Sequence, residues 1–427
     1  MKSALILYPH QLFPLEQIPG VDAVLLVEDP LFFGIDRQQP VKLHKQKLIL
    51  HRASMRRYVE EVLWPAGLEV EYVELDGLMT SEDIFDRAKK FDQLYVFDTI
   101  DDVLTKRLLE ARRANNSISS FEFLSSPNFY LKNQEIQSYF DEDNKHSFED
   151  FYQWQRERFN VLIGEDYKPV GGAWTLEQKP QKLEVDTQLP SFAVYGSNKF
   201  VEEAVGYVEK HFPENPGTTD FIWPTNHQEA QLWLDSFIEH RLENYAKFQI
   251  AIDNKAMWLY HSAISVSLQI GLLSPKQVID RTLNAHTKKP IPLECLEAFI
   301  RGVLGWREFI RARYLIDGRS MRSSNELKTQ RRLTVDWYRG NTGILPFDDV
   351  VQKLMSHGYI NQSERLYIAT NLMILSEINP QDMQRFFIKL SIDAYDWVVL
   401  PNLHRALSFI ARGAGVDAVP VCSSEKI

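Results

Sequence analysis

The sequence predicts a doubly wound α/β domain with a mainly parallel sheet, followed by a larger all-helical domain. Three observations carry this reading. Short apolar runs alternate with amphipathic stretches up to residue 124, an interval rich in Pro, Gly and charge follows, and helical periodicity dominates past residue 226. At 427 residues the chain also exceeds what one core usually supports.

The strands expected are Leu5 to Tyr8, Ala23 to Val27, Val70 to Leu75, Leu94 to Phe97 and Phe121 to Leu124. Between them lie helical segments, the longest from Leu43 to Leu63 with apolar positions at Leu48, Met55, Tyr58, Val59 and Val62. Strands alternating with helices of this length imply βαβ units and hence parallel pairing. The spans expected are therefore an α/β domain at 1–130, a surface connector at 131–225 and a helical domain at 226–427. In the last, helices are expected at 227–246, 252–271, 275–285, 293–316, 347–357, 361–375, 380–389 and 402–411, with Pro and Gly near the joints. No fixed-period repeat or low-complexity tract interrupts this order.

Composition narrows the function classes. No apolar run is long enough to cross a membrane, and Pro9 and His10 break the first apolar stretch before a signal-peptide core forms, so a cytoplasmic protein with no membrane partner is expected. Two cysteines, Cys295 and Cys422, cannot build a disulfide framework. The net charge of -10 argues against a generic nucleic-acid coat, yet residues 301–340 hold ten Arg or Lys against four Asp or Glu. From Trp306 to Arg339 these cations interleave with aromatics, the combination that single-stranded or flipped-base recognition uses; a solvated basic face has the same composition.

Several chemistries lack a signature. No GxGxxG or P-loop follows the first strand, no HExxH exists, and His44, His51, His240, His261 and His404 are too scattered to define a metal site. Ser125-Ser126 and Ser323-Ser324 lack a nucleophile-elbow context. The Asp141-Glu142-Asp143 cluster reads as solvated loop charge. The helical half is rich in aromatics, including Trp258, Trp306, Trp337, Tyr338 and Trp397, which suit core packing and, as a group, electron transfer to a buried redox cofactor.

Three motifs, LYHSAISVSLQIGLLSP (259–275), EAFIRGVLGWREFIR (297–311) and SIDAYDWVVLPN (391–402), together closely resemble the bacterial photolyase and cryptochrome branch that normally carries an iron-sulfur cluster. LHKQKLILHRASMRRY (43–58), FYQWQRERFNVLIG (151–164) and GGAW (171–174) extend that resemblance over nearly the whole chain. It implies FAD in the helical domain, with His261, Ser262, Ile264 and Ser265 near the diphosphate, Leu268 at a further cofactor-binding position and Arg307 near the flavin. Arg365 and Asp393 match the buried pair beside the ring, and Tyr395, Val399 and Asn402 match further cofactor-binding positions. Tyr338, Phe386 and Trp397 match electron-relay positions, and the α/β domain matches one that seats a lumazine-type antenna.

The departures from that branch are specific. The first cluster cysteine aligns with Pro346 and the others fall beyond residue 427, so no iron-sulfur cluster is expected. The paired lesion-pocket histidines align with Asn361 and Gln362, which removes the proton donor expected in (6-4) repair, and a lesion-contacting residue aligns with Val303. Val399 replaces a polar neighbour of flavin N5, Phe386 is harder to oxidise than tryptophan, and His10 replaces an acidic antenna residue although Glu28 remains.

A monomeric blue-light-responsive flavoprotein with a diverged repair pocket is the leading expectation, signalling through an unidentified partner. The alternatives are a light-driven photolyase that repairs pyrimidine photoproducts and a non-catalytic nucleic-acid-binding or scaffold protein. Damaged or single-stranded DNA would approach through residues 301–340.

Overall fold

The computed structural model describes residues 2–412 except 79, 115–118, 142–146, 182, 185–188, 191, 193, 196 and 255. Cys422, Glu142 and Asp143 lie outside the described residues.

The strands β1 (Ser3–Leu7), β2 (Ala23–Val27), β3 (Glu69–Val73), β4 (Gln93–Phe97) and β5 (Ser120–Leu124) form a wholly parallel sheet in the order β3-β2-β1-β4-β5. The central β1 and β2 are covered on both faces, which is why they read as unbroken apolar runs rather than alternating ones. The strand order reverses between β1 and β4, and the loops after these strands meet there. His10 Nε2 lies 2.8 Å from the Thr99 carbonyl, and Gln11 Nε2 donates to the Phe97 carbonyl at 3.0 Å.

The helix expected from Leu43 begins at Lys45, because His44 Nδ1 accepts from the Gln46 N–H and caps it. It runs to Tyr58 and ends in a π-helical turn, Val59–Leu63. The span 131–225 is not only a connector. It forms the helices Asn133–Asp141, Phe148–Phe159 and Lys199–His211; the second packs on the segment Arg301–Trp306, and the third on Lys45–Tyr58. Ion pairs from Arg52 to Glu203 and Lys199 to Glu60 fasten that third helix to the sheet domain.

The helical domain departs from expectation most at 252–271. Only Ser265–Ile270 is helical there, and the chain before it is irregular, with Leu259 at φ 43° and Ala263 at φ 51°. Left-handed backbone at a non-glycine residue costs energy, and such positions concentrate where a segment is shaped for a ligand. A continuous helical run spans Leu293–Ile300, a π-helical stretch Arg301–Trp306, and Arg307–Ser323. A second π-helical stretch, Glu364–Thr370, leads into Asn371–Leu375, and the last helix, Asp396–Arg412, starts six residues before its expected position. π-Helical insertions widen a helix locally and recur at functional sites. Both stretches face the same cavity.

Candidate functional site

That cavity, about 520 Å³, is walled by the irregular segment before Ser265 and the short helix Ser265–Ile270, the two π-helical stretches, and the start of the last helix. It falls in the range of roughly 300–1,000 Å³ typical of small-molecule sites. Its wall carries four arginines, Arg301, Arg307, Arg365 and Arg405, against a single carboxylate, Asp393. The rest is largely apolar and aromatic. Such a lining suits a flat aromatic group joined to an anionic one.

Asp393 organises the polar side. Its carboxylate accepts from Arg365 Nη2 at 3.0 Å and from Ser265 Oγ at 2.7 Å, while its carbonyl accepts from Gln269 Nε2 at 3.1 Å. The sheet domain holds this loop from behind: Lys47 Nζ donates to the Ala394 carbonyl at 2.5 Å, and His51 Nε2 lies 2.8 Å from the Tyr395 hydroxyl. Ile392 N donates to the carbonyl of Gly358, whose φ of +64° and closeness to the His44 ring leave little room for a side chain.

Among the described residues, His261 Nε2, Arg307 Nε and Arg365 Nε on the wall have no partner within the protein. Buried polar atoms are nearly always hydrogen-bonded, so unpaired ones gathered on one cavity point to a ligand with acceptors. Burial pushes His261 down to about 4, so it is neutral at pH 7 and offers one N–H and one lone pair. Burial likewise pushes Arg307 down to about 10, still cationic at neutral pH; its guanidinium lies 4.8 Å from the Trp397 ring and 4.9 Å from that of Phe129.

Of the residues expected at the cofactor, His261, Ser262, Ile264, Ser265, Leu268, Arg307, Arg365, Asp393, Val399 and Asn402 all line this cavity. Tyr395 does not. Its hydroxyl turns to His51, and its ring lines a separate pocket of about 10 Å³ against His10 and Phe32. Among the substituted lesion positions, Val303 and Gln362 line the cavity, whereas Asn361 is buried away from it. Asn361 Oδ1 accepts from Glu364 N at 2.9 Å and its own N–H donates to Glu364 Oε2 at 3.1 Å, a reciprocal helix cap. Trp397 lines the wall, but Tyr338 and Phe386 stand behind it, 5.6 Å apart, with Phe387 between Phe386 and the cavity.

Many cations of the stretch 301–340 are paired within the protein. Arg301, Arg311, Arg313, Arg322, Arg331 and Arg332 are in ion pairs, and Arg307 turns into the cavity. The side chains of Arg331 and Arg332 nonetheless remain 70% and 71% exposed.

In the α/β crevice, at the carboxyl ends of β2 and β3, Glu28 is fully buried and taken up by Arg52 at 2.8 Å, Tyr72 Oη at 2.6 Å and the Leu75 N–H at 3.1 Å. His10, Phe32 and Tyr395 fill the adjoining space, leaving the pocket of about 10 Å³, on the order of one water molecule. These residues do not fit an antenna chromophore. Among the described residues no group of three or more His, Cys, Asp or Glu is placed to hold a metal ion.

Sequence reading missed Gln269, Tyr359, Phe387 and Arg405 on the wall. Gln269 was within reach, since it lies four residues after Ser265 and so shares its helical face. Nothing local marks Tyr359.

Residues 5–223, just over half of the chain, match the family described as deoxyribodipyrimidine photo-lyase-related protein. A (6-4) photolyase of Agrobacterium fabrum is 27% identical over 395 residues, covering 89% of this chain and 76% of that protein. Among solved structures, a Synechocystis cryptochrome superposes with a TM-score of 0.66 at 15% identity, covering 97% of this chain and 83% of its own. An archaeal photolyase of Sulfolobus tokodaii, solved with two FAD molecules, gives 0.61 at 15% identity, covering 96% and 83%. At such identity these two matches establish the fold alone. The chain belongs to the deoxyribodipyrimidine photo-lyase-related family and has the photolyase and cryptochrome fold.

Proposed function

We propose that this chain binds FAD in the helical cavity and acts as a blue-light-responsive flavoprotein whose repair pocket has diverged. The observation that carries the reading is the cavity of about 520 Å³ with Ser265, Arg365 and Asp393 joined at one wall and unpaired nitrogens on His261, Arg307 and Arg365. When bound, FAD supplies blue-light absorption and one-electron chemistry. The arginines and Ser262 bind its anionic and ribityl portions, Asp393 fixes the Arg365 guanidinium, and the apolar side chains of Leu268, Val303 and Val399 exclude water. Val399 offers no hydrogen-bond donor or acceptor to a ring, and Gln362 at the lesion side cannot serve as the acid an imidazolium would be.

A second reading, light-driven repair of DNA photoproducts, is favoured by Trp306 on the cavity wall with the Arg405 guanidinium 4.5 Å from its ring, a stacking surface beside positive charge. The kinship with a (6-4) photolyase supports it too.

The test combines the absorption spectrum of the purified protein, its change under blue light with a thiol donor, and incubation with ultraviolet-damaged oligonucleotide in light and dark. A flavin spectrum that bleaches in light without lesion reversal is expected. Light-dependent reversal would establish the second reading, and a protein that takes up no FAD would leave a nucleic-acid-binding or scaffold role.

A further inference from the structure

Two of the positions that match an electron relay, Tyr338 and Phe386, are poorly suited to one here. From Tyr338 the path to the cavity crosses Phe386 and then Phe387, with ring centroids 5.6 and 5.4 Å apart. A benzene ring has no heteroatom lone pair to ease its oxidation, so two phenylalanines in series are a high barrier to a migrating electron vacancy.

On another side of the cavity the aromatic residues are different. Tyr359 lines the wall, and its ring centroid lies 5.5 Å from Trp223 and 5.8 Å from Trp258. Trp223 is 5.7 Å from Trp258 and 5.5 Å from Trp233, with which it stacks at 29°. Trp223 and Trp233 are fully buried, while Trp258 is half-buried and so forms the outer end. Both buried indoles are held by their N–H groups, Trp223 Nε1 to Gln46 Oε1 at 3.2 Å and Trp233 Nε1 to the Ser262 carbonyl at 2.9 Å. An acceptor on the indole N–H stabilises the ring when it loses an electron. Trp258 and Trp233 each contact Trp223, a series of oxidisable rings whose outer end is Trp258.

We infer that Trp258 and Trp223, coupled to the cavity across the Tyr359 ring and backed by Trp233, form the electron route into the bound cofactor, in place of Tyr338 and Phe386. The inference rests on the FAD reading above. One electron passes from an external thiol to Trp258, from Trp258 to Trp223, and across Tyr359 to the photoexcited oxidised flavin. Each indole loses and regains one electron without breaking a bond, and the thiol is the species finally oxidised.

The experiment has two arms. In the first, protein whose FAD content has been measured is illuminated with blue light and thiol, and the transient tryptophan radical and the photoreduction rate are followed. Because even a small rise in a barrier costs about tenfold in rate, Trp258→Phe, which removes the outer end of both paths to Tyr359, direct and through Trp223, should lower both by about tenfold or more, and Tyr338→Phe by less than about twofold. The opposite ranking would overturn the inference. The second arm needs no cofactor: flavin-free protein is exposed to a soluble one-electron oxidant, and oxidation at each tryptophan is mapped by peptide mass spectrometry. Buried Trp223 and Trp233 should be oxidised in the native sequence and protected about tenfold in Trp258→Phe, with near-ultraviolet circular dichroism showing that both proteins are folded. Equal oxidation in the two proteins would refute the entrance at Trp258. Failure to bind FAD would sink the proposed function but leave this second arm decisive.

Discussion

The α/β crevice and the helical cavity both lie where chain elements diverge, yet their polar groups serve opposite ends. In the crevice, Arg52 spans Glu28, Glu74 and Glu203, Arg107 clasps Asp36 from a buried position, and His10 and Gln11 plug the space with bonds to the β4 loop. His10 Nδ1 and Asn128 Oδ1 remain without a protein partner there, beside space for about one water. In the helical cavity, Asp393 pairs with one face of Arg365 and leaves His261, Arg307 and the rest of Arg365 facing a volume of about 520 Å³. Charged groups that satisfy one another make structure; charged groups left facing space make a binding site.

If the crevice is structural, Arg52→Ala is the most damaging change to it. It strands the buried Glu28 carboxylate and should lower the unfolding free energy by about 3–5 kcal/mol in a denaturant titration. FAD affinity of the folded protein should stay within about twofold, since neither Arg52 nor Glu28 lines the cavity. A large loss of FAD with little loss of stability would reverse the roles assigned to the two regions.

The acid limb of stability sharpens the same point. Burial pushes His10 down to about 4, so the folded protein keeps it neutral while the unfolded chain protonates it from pH 6.5 downward. The unfolded state then binds more protons between those values, and stability falls as pH drops, by about 3 kcal/mol at pH 4 for this residue alone. Asp101 and Glu308, each pushed up to about 7 by burial, act oppositely and gain stability as pH falls below that value. The readout is therefore a difference: His10→Asn should lose less melting temperature than the native protein between pH 7 and pH 5, and identical losses would contradict the assignment.

In the cavity, Asp393→Ala leaves Arg365 unpaired and frees Ser265. FAD affinity measured by titration should fall by about 2–3 kcal/mol, on the order of 100-fold. The smallest effect is expected at the residue that alignment placed in the pocket and packing did not. Asn361→Ala should cost about 1 kcal/mol of stability as a lost cap and leave FAD affinity unchanged. Weakened FAD binding would return Asn361 to the site.

The sheet was legible because buried parallel strands are short apolar runs, and each of the five expected strands is observed within two residues at either end. The cavity wall at 259–268 was legible only as a motif. Its apolar periodicity imitates a helix, while two left-handed residues, Leu259 and Ala263, bend it into an irregular segment that no periodicity reports. Tyr395 and Asn361 lie off the cavity wall for a related reason: a position in a motif fixes the backbone location, but His51 and Glu364, far away or a turn ahead, decide where the side chain goes. The count of cations in 301–340 could not show their pairing, because charge in a sequence carries no record of partners such as Asp396 and Asp382.

The most direct test of the central claim is titration of the purified protein with FAD, followed by the visible absorption spectrum after removal of unbound ligand. A stoichiometric, retained flavin spectrum is expected for the native protein and for His10→Asn, with retention lost in Asp393→Ala. A native protein that stays colourless at saturating FAD, or one whose flavin is lost in His10→Asn and kept in Asp393→Ala, would contradict it.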